Sequence, residues 1–183
     1  MKALLIVDLQ NDFLPGGPLA APEGNRIISI VNHLIDRSPL TIASKDWHPE
    51  QTIHFDRWPV HCVAKTSGSD FPKALHSQSI GCIIQKGTSN SDDGYSAFEA
   101  TSIELNDYLK DKNITDLYIC GLTTEYCVKQ TVLDALNHKY NTFVIQDAVA
   151  GVKAHPGDEQ KAWEDMQKAG AQLILSSEFL KNH

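Results

Sequence analysis

The sequence is poor in sulfur and in long apolar runs. Its 183 residues hold four cysteines and two methionines, and Lys plus Arg (16) fall short of Asp plus Glu (23). Cys62, Cys82, Cys120 and Cys127 form no CxxC pair and no short-spaced framework. In a chain of this size that points to reduced thiols and a cytoplasmic setting rather than to a disulfide scaffold. The formal net charge of −7 argues against a nucleic-acid partner, because phosphate binding rests on Lys and Arg. No apolar stretch approaches the roughly 20 residues a membrane span needs. The opening "MKALLIVDLQNDF" is interrupted by Asp8 and followed by no small-residue cleavage site, so it reads as a strand and not a signal peptide.

What is present fits one domain over 1–183, with 42% hydrophobic and 21% charged residues. Short apolar runs suited to buried parallel strands recur at 2–8, 40–46, 82–86, 117–121, 142–147 and 172–176. Helical patterns lie between several of them, at 22–38, 101–113, 124–140 and 158–170. The second is expected to start on Thr101 or Ser102 with Glu104 nearby, and the last to close on Gly170. Such alternation predicts an α/β domain, a parallel sheet with helices on both faces.

In open α/β sheets, ligands bind beyond the carboxyl ends of the strands. Asp8 ends the first run, Asp46 and His48 the second, and Lys86 the third, while Cys127 follows the fourth at the opening of a helix. A cysteine in a first helical turn is expected to have a lowered pKa, and backbone N–H groups there can hold an oxyanion. A thiol nucleophile also needs a base, and Asp8 and Lys86 at neighbouring strand ends suit that role. Taken singly, each has a plain alternative: a core cysteine, a turn acid, a solvated lysine.

The stretch "KDWHPEQTIHFDRWPVHCV" sets Asp46, His48, His54 and His61 in a loop-rich segment. Asp46 and His48 are two apart, so in extended chain they share a face and can chelate one ion, with His54 and His61 folding back as further ligands. Oxygen and nitrogen donors without thiolate suit zinc, iron(II) or manganese(II). Phe13, Trp58 and Tyr95 are candidates to wall a flat pocket for a ring. Cys82, Cys120, Trp47 and Trp163 read as packing, and His33, His76, His138, His155 and His183 as surface or helix ends.

Together these segments resemble the nicotinamidase/pyrazinamidase members of the isochorismatase-like cysteine hydrolases. The resemblance runs in order through "LLIVDLQNDFLPGGPLA", "ASKDWHPEQTIHF", "WPVHCV", "QKGTSNSDDGYSAF" and "ICGLTTEYCVKQTVLDA". It implies a three-layer α/β/α fold on a six-stranded, mostly parallel, Rossmann-like sheet, and a triad of Asp8, Lys86 and Cys127. It further implies one divalent cation on Asp46, His48 and His61, with His54 a ligand in some members and not in others. A cis peptide at Leu122–Thr123 would aim the Thr123 and Cys127 N–H groups at the oxyanion. Many members carry alanine where this chain has Thr123. Phe13, Trp58, Tyr95 and Tyr126 match positions that contact the pyridine ring. The implied activity is hydrolysis of nicotinamide, with pyrazinamide as a second substrate, to the acid and ammonia through a Cys thioester, in NAD salvage. Homo-oligomerisation is left open, since members vary.

Two other readings compete. A sister amidohydrolase acting on carbamoyl or ureido compounds shares the triad but lacks the metal cluster. A non-catalytic metal-binding or thiol-sensing protein would bind zinc and oxidise at Cys127 without turnover.

Overall fold

Lys2–Val7 forms the first strand (β1), at the centre of a sheet. Its continuous apolar run serves two layers, because alternate side chains leave opposite faces. Leu5 and Val7 join one core with Leu105, Leu109, Val132 and Met166; Leu4 and Ile6 join another with Ile27, Val31, Leu34 and Phe179. Each fully buried Leu or Ile contributes about 1.5–3 kcal/mol, so both faces hold the sheet.

The computed structural model describes residues 1–181; His183, expected at the surface, lies outside them. The remaining strands are β2 (Thr41–Asp46), β3 (Cys82–Lys86), β4 (Asp116–Leu122), β5 (Asn141–Ala150) and β6 (Gln172–Ile174). The sheet runs β3-β2-β1-β4-β5-β6, with every described pairing parallel. The helices are α1 (Gly24–Arg37), α2 (Leu105–Asp111), α3 (Lys129–Asn137), α4 (Asp158–Ala169) and α5 (Ser176–Lys181). The three-layer α/β/α expectation therefore holds. From β1 the chain winds outward to β2 and β3, then returns to pair β4 on the other side of β1. That reversal opens a crevice between the carboxyl ends of β1 and β4.

Two helix starts differ from expectation. The helix expected from Thr101 or Ser102 begins at Leu105, where the Glu104 side chain accepts from Asp107 N at 2.7 Å. Ser102 Oγ instead accepts from Gln85 N at 2.8 Å, satisfying a donor of the edge strand β3, and Thr101 pairs with Thr88. The capping box lies earlier, between Ser96 and Glu99. The pattern over 124–140 opens with a π-helical turn, Thr124–Val128, before α3 proper. Gly170 closes α4 as expected, at φ 112°. Nothing in the pattern announced α5, whose six residues are too few for a helical period; its Phe179 packs edge-on to Tyr118 at 5.0 Å. Among the described residues no helix is long and apolar enough to cross a membrane.

Candidate active site

Asp8 leaves the end of β1 with φ 45°, a left-handed conformation that turns its side chain into the crevice. Gly121, opposite on β4, has φ 112°, and a Cβ there would run into the Val7 backbone. Only glycine allows that approach. Lys86 enters from the end of β3 and is fully buried. Its Nζ lies 2.7 Å from Asp8 Oδ2 and 3.5 Å from Cys127 Sγ, donates to Gly94 O at 2.6 Å, and pairs with Asp46 Oδ1. Ser44 Oγ donates to the second Asp8 oxygen at 2.7 Å. Acid, amine and thiol, from the ends of β1 and β3 and the turn after β4, thus meet in one buried cluster.

Burial and charge compete at each of these groups. Burial raises the Asp8 carboxyl to about 6 against the pull of Lys86, with the neighbouring Asp46 charge adding to the rise. Burial alone would lower Lys86, but the Asp46 and Asp8 carboxylates outweigh it and hold the ammonium charged. Asp46 is held well below the carboxylate range, as the Lys86 charge and the nearby His48 and His61 rings overcome its desolvation. For Cys127 the expectation of a lowered pKa is overturned. Burial pushes the thiol well above its ordinary value, and the Lys86 charge does not compensate. The cysteine rests as a thiol, so a base must take its proton during reaction.

The histidines of the opening loop converge beside this cluster. Candidate donor atoms of His48, His54 and His61 lie within 4.8 Å of one another, all three side chains buried. Asp46 Oδ2 stands 3.7 Å from His48 Nε2 and 3.8 Å from His61 Nε2. Each ring is fixed through its other nitrogen: His48 Nδ1 on Gly87 O at 2.9 Å, His61 Nδ1 on Pro59 O at 2.7 Å, and His54 Nδ1 on Asp92 Oδ1 at 3.1 Å. Such outer partners leave Nε2 as the ligating atom. His48 Nε2 is buried without a hydrogen-bond partner, which is costly unless a cation takes the lone pair. Burial, followed by the neighbouring rings of His48 and His61, lowers His54 to about 4, so it is neutral and able to ligate at neutral pH. These four residues fit a divalent cation, and His54, which the sequence left open, sits among them. Gly87, at φ 63°, packs its Cα against the His48 ring; a Cβ would come within 2.5 Å of it.

A small open pocket adjoins the two clusters, lined by Asp46, His54 and His61 together with Cys127 and Thr123. Phe13, Trp58, Tyr95 and Tyr126 line it together with Leu19 and Val152. Trp58 meets Tyr126 edge-on at 4.9 Å and donates from Nε1 to Tyr95 OH at 2.9 Å. The Leu122–Thr123 peptide is cis, as expected. Cys82 and Cys120 are core, and His33, His76, His138 and His155 are exposed.

Several residues that build the site had no role in the sequence reading. Gln10 holds Asp46 at both ends: its Oε1 accepts from Asp46 N and its Nε2 donates to Asp46 O, each at 2.8 Å. Asp12 Oδ2 accepts from Cys62 N at 2.7 Å, which anchors the backbone next to His61. Glu125, buried, accepts from Val152 N at 3.1 Å and Lys153 N at 2.7 Å. Gln10 and Asp12 lie in "DLQNDF" and Glu125 in "TTEYC", but nothing in those strings says which distant backbone they hold.

Fold and site together define an α/β protein with a buried thiol, acid and amine at the topological switch point, beside a His/Asp metal-type cluster. Residues 2–178 match the family model described as the isochorismatase domain, and the chain belongs to that family. It is similar to the nicotinamidase of Escherichia coli (strain K12), 40% identical over 97% of this chain and 96% of the relative. Among solved structures it is similar to the pyrazinamidase of Pyrococcus horikoshii in complex with zinc, with a TM-score of 0.84 and 39% identity, covering 95% of this chain and 98% of the other. PnC1 from L. infantum in complex with nicotinate superposes with a TM-score of 0.90 at 30% identity, covering 97% and 93% of the two chains.

Proposed function

We propose that this protein is a nicotinamide amidohydrolase that releases ammonia and nicotinate, a reaction of NAD salvage, and that pyrazinamide, whose ring differs by one nitrogen, is also a substrate. We read residues 1–183 as its single hydrolase domain, since one sheet takes strands from Lys2 through Ile174. The observation that carries the chemistry is Lys86 Nζ at 2.7 Å from Asp8 and 3.5 Å from Cys127 Sγ, at the wall of an aromatic slot.

Asp8 accepts the Cys127 proton, and Sγ attacks the carboxamide carbon. The N–H groups of Thr123 and Cys127 receive the oxyanion. Asp8 then returns the proton to the departing nitrogen as the C–N bond breaks, leaving a thioester and ammonia. A water deprotonated by Asp8 adds to the thioester; collapse breaks the C–S bond and frees the acid and the thiol. Lys86, kept charged by its two carboxylates, offsets the negative charge that comes and goes on Asp8 and Cys127. Phe13, Trp58, Tyr95 and Tyr126 hold the ring so that its carboxamide faces Sγ.

Asp46, His48, His54 and His61 would hold the divalent cation, which, when bound, supplies a Lewis-acid contact for the ring nitrogen and orients the substrate. Zinc, iron(II) and manganese(II) all suit these donors. Zinc is the first to try, because the Pyrococcus pyrazinamidase is a zinc complex.

Ammonia release from nicotinamide by the purified protein, before and after chelation and with zinc restored, tests this reading. Turnover is expected, falling on chelation and returning with metal, and absent in Cys127→Ala. Persistent hydrolysis in Cys127→Ala would replace the thioester route with direct attack by water.

A further inference from the structure

Asp92 lies outside the triad, the metal-type cluster and the slot, yet it touches parts of two of them. Its Oδ1 accepts from His54 Nδ1 at 3.1 Å and from Tyr95 OH at 2.7 Å, while Oδ2 accepts from Arg57 Nη1 at 2.7 Å. Tyr95 OH in turn accepts from Trp58 Nε1 at 2.9 Å. One carboxylate oxygen therefore fixes a candidate metal ligand and, through a tyrosine hydroxyl, two rings of the substrate wall. The same rings are neighbours: His54 and Tyr95 centroids lie 5.6 Å apart, and those of His54 and Trp58 6.4 Å.

The three arms are unequal. Arg57 has a side chain 66% exposed, and an ion pair that open to water adds little. The His54 side chain is 5% exposed, and among the described residues its Nδ1 meets Asp92 as acceptor. Without that acceptor the ring can hold its proton on either nitrogen and rotate, and a ligand whose tautomer is not set binds metal more weakly. Tyr95 OH is likewise both donor to Asp92 and acceptor from Trp58, so losing Asp92 frees the whole Tyr95–Trp58 pair. Asn90 and Thr52 also tie the two loops together, through Ile53 N to Asn90 Oδ1 at 2.8 Å and Thr52 Oγ1 to Ser89 O at 3.4 Å. Those ties hold the loops near each other without setting either ring.

We infer that Asp92 is a positioning residue for both halves of the site, its carboxylate setting the His54 tautomer for a divalent cation and the Tyr95–Trp58 wall for the substrate ring. The inference rests on the amidase reading for its substrate half, whereas its metal half is measurable without turnover.

The test uses Asp92→Ala in the zinc-loaded protein. Zinc affinity is read by competition with a chromogenic chelator, and kcat and KM for nicotinamide at saturating zinc. Zinc affinity should fall about 10–100-fold, the range for loss of an outer carboxylate partner, and KM should rise more than kcat falls. Tyr95→Phe, which removes only the hydroxyl arm, should raise KM and leave zinc affinity in place. Combining Asp92→Ala with His54→Ala should cost no more zinc affinity than His54→Ala alone, because Asp92 acts through that ring. If Asp92→Ala does not fold, Asp92→Leu, which fills similar space without an acceptor, carries the same comparisons. Unchanged zinc affinity in the Asp92 variant, or losses that add in full with His54→Ala, would overturn the inference.

Discussion

Lys86 and Asp8 form an ion pair at 2.7 Å in which neither side chain is exposed. A lysine so placed is costly to desolvate and persists because a second carboxylate, Asp46, shares it. The pair links the two parts of the site, since Asp46 also faces His48 and His61.

Removing that lysine leaves two buried carboxylates facing each other. Lys86→Met should destabilise the fold by about 3–5 kcal/mol at neutral pH, as for other broken buried pairs, and abolish turnover. Protonating one carboxylate relieves the repulsion, so the loss in urea unfolding should shrink between pH 7 and pH 5. An equal loss at both pH values would show that Asp8 and Asp46 are not the source.

Activity and stability should respond to Asp8 in opposite senses. Its folded pKa of about 6 exceeds the ordinary 3.8 because it is buried. Between those values the folded chain keeps a proton that the unfolded chain has lost. Stability contributed by this group is therefore greatest below the lower value and declines as pH rises through the higher. The base needed for attack appears over the same interval, so kcat/KM should climb with a midpoint near 6. Asp8→Asn should abolish turnover across the whole profile.

Metal binding should be visible without any substrate. A cation that binds only the folded chain raises its stability by about 2.7 kcal/mol at a hundredfold excess over Kd. Thermal melting with and without zinc should show that rise in the wild type and lose most of it in His48→Ala, whose Nε2 is otherwise buried unpaired. A full zinc shift in His48→Ala would remove this residue from the ligand set.

Glu125 should matter for binding more than for chemistry. It clasps the 151–153 backbone, and Gly151 fits because a Cβ there would lie 2.5 Å from its carboxylate. Glu125→Ala leaves two N–H groups without their acceptor, at about 1–3 kcal/mol. Because Val152 lines the slot, KM should rise as well. Urea unfolding and steady-state kinetics read the two effects separately.

The sequence by itself determined the layers and the chemistry on offer. Six short apolar runs alternating with helical patterns point to a buried parallel sheet, and the strand-end rule then collects Asp8, Asp46, Lys86 and Cys127 at one edge. What it could not determine is anything set by burial or by contacts between distant segments. The helix-start argument gave Cys127 a low pKa, and only the packed structure shows that desolvation overrides it. His54 was open because the resemblance makes it a ligand in some members and not in others; in the folded chain its ring stands beside His48 and His61 and meets Asp92, 38 residues away. Gln10, Asp12, Glu125 and Asp92 are ordinary polar letters in a string. Their roles come from which backbone or ring the folded chain carries to them, and that is a property of tertiary structure alone.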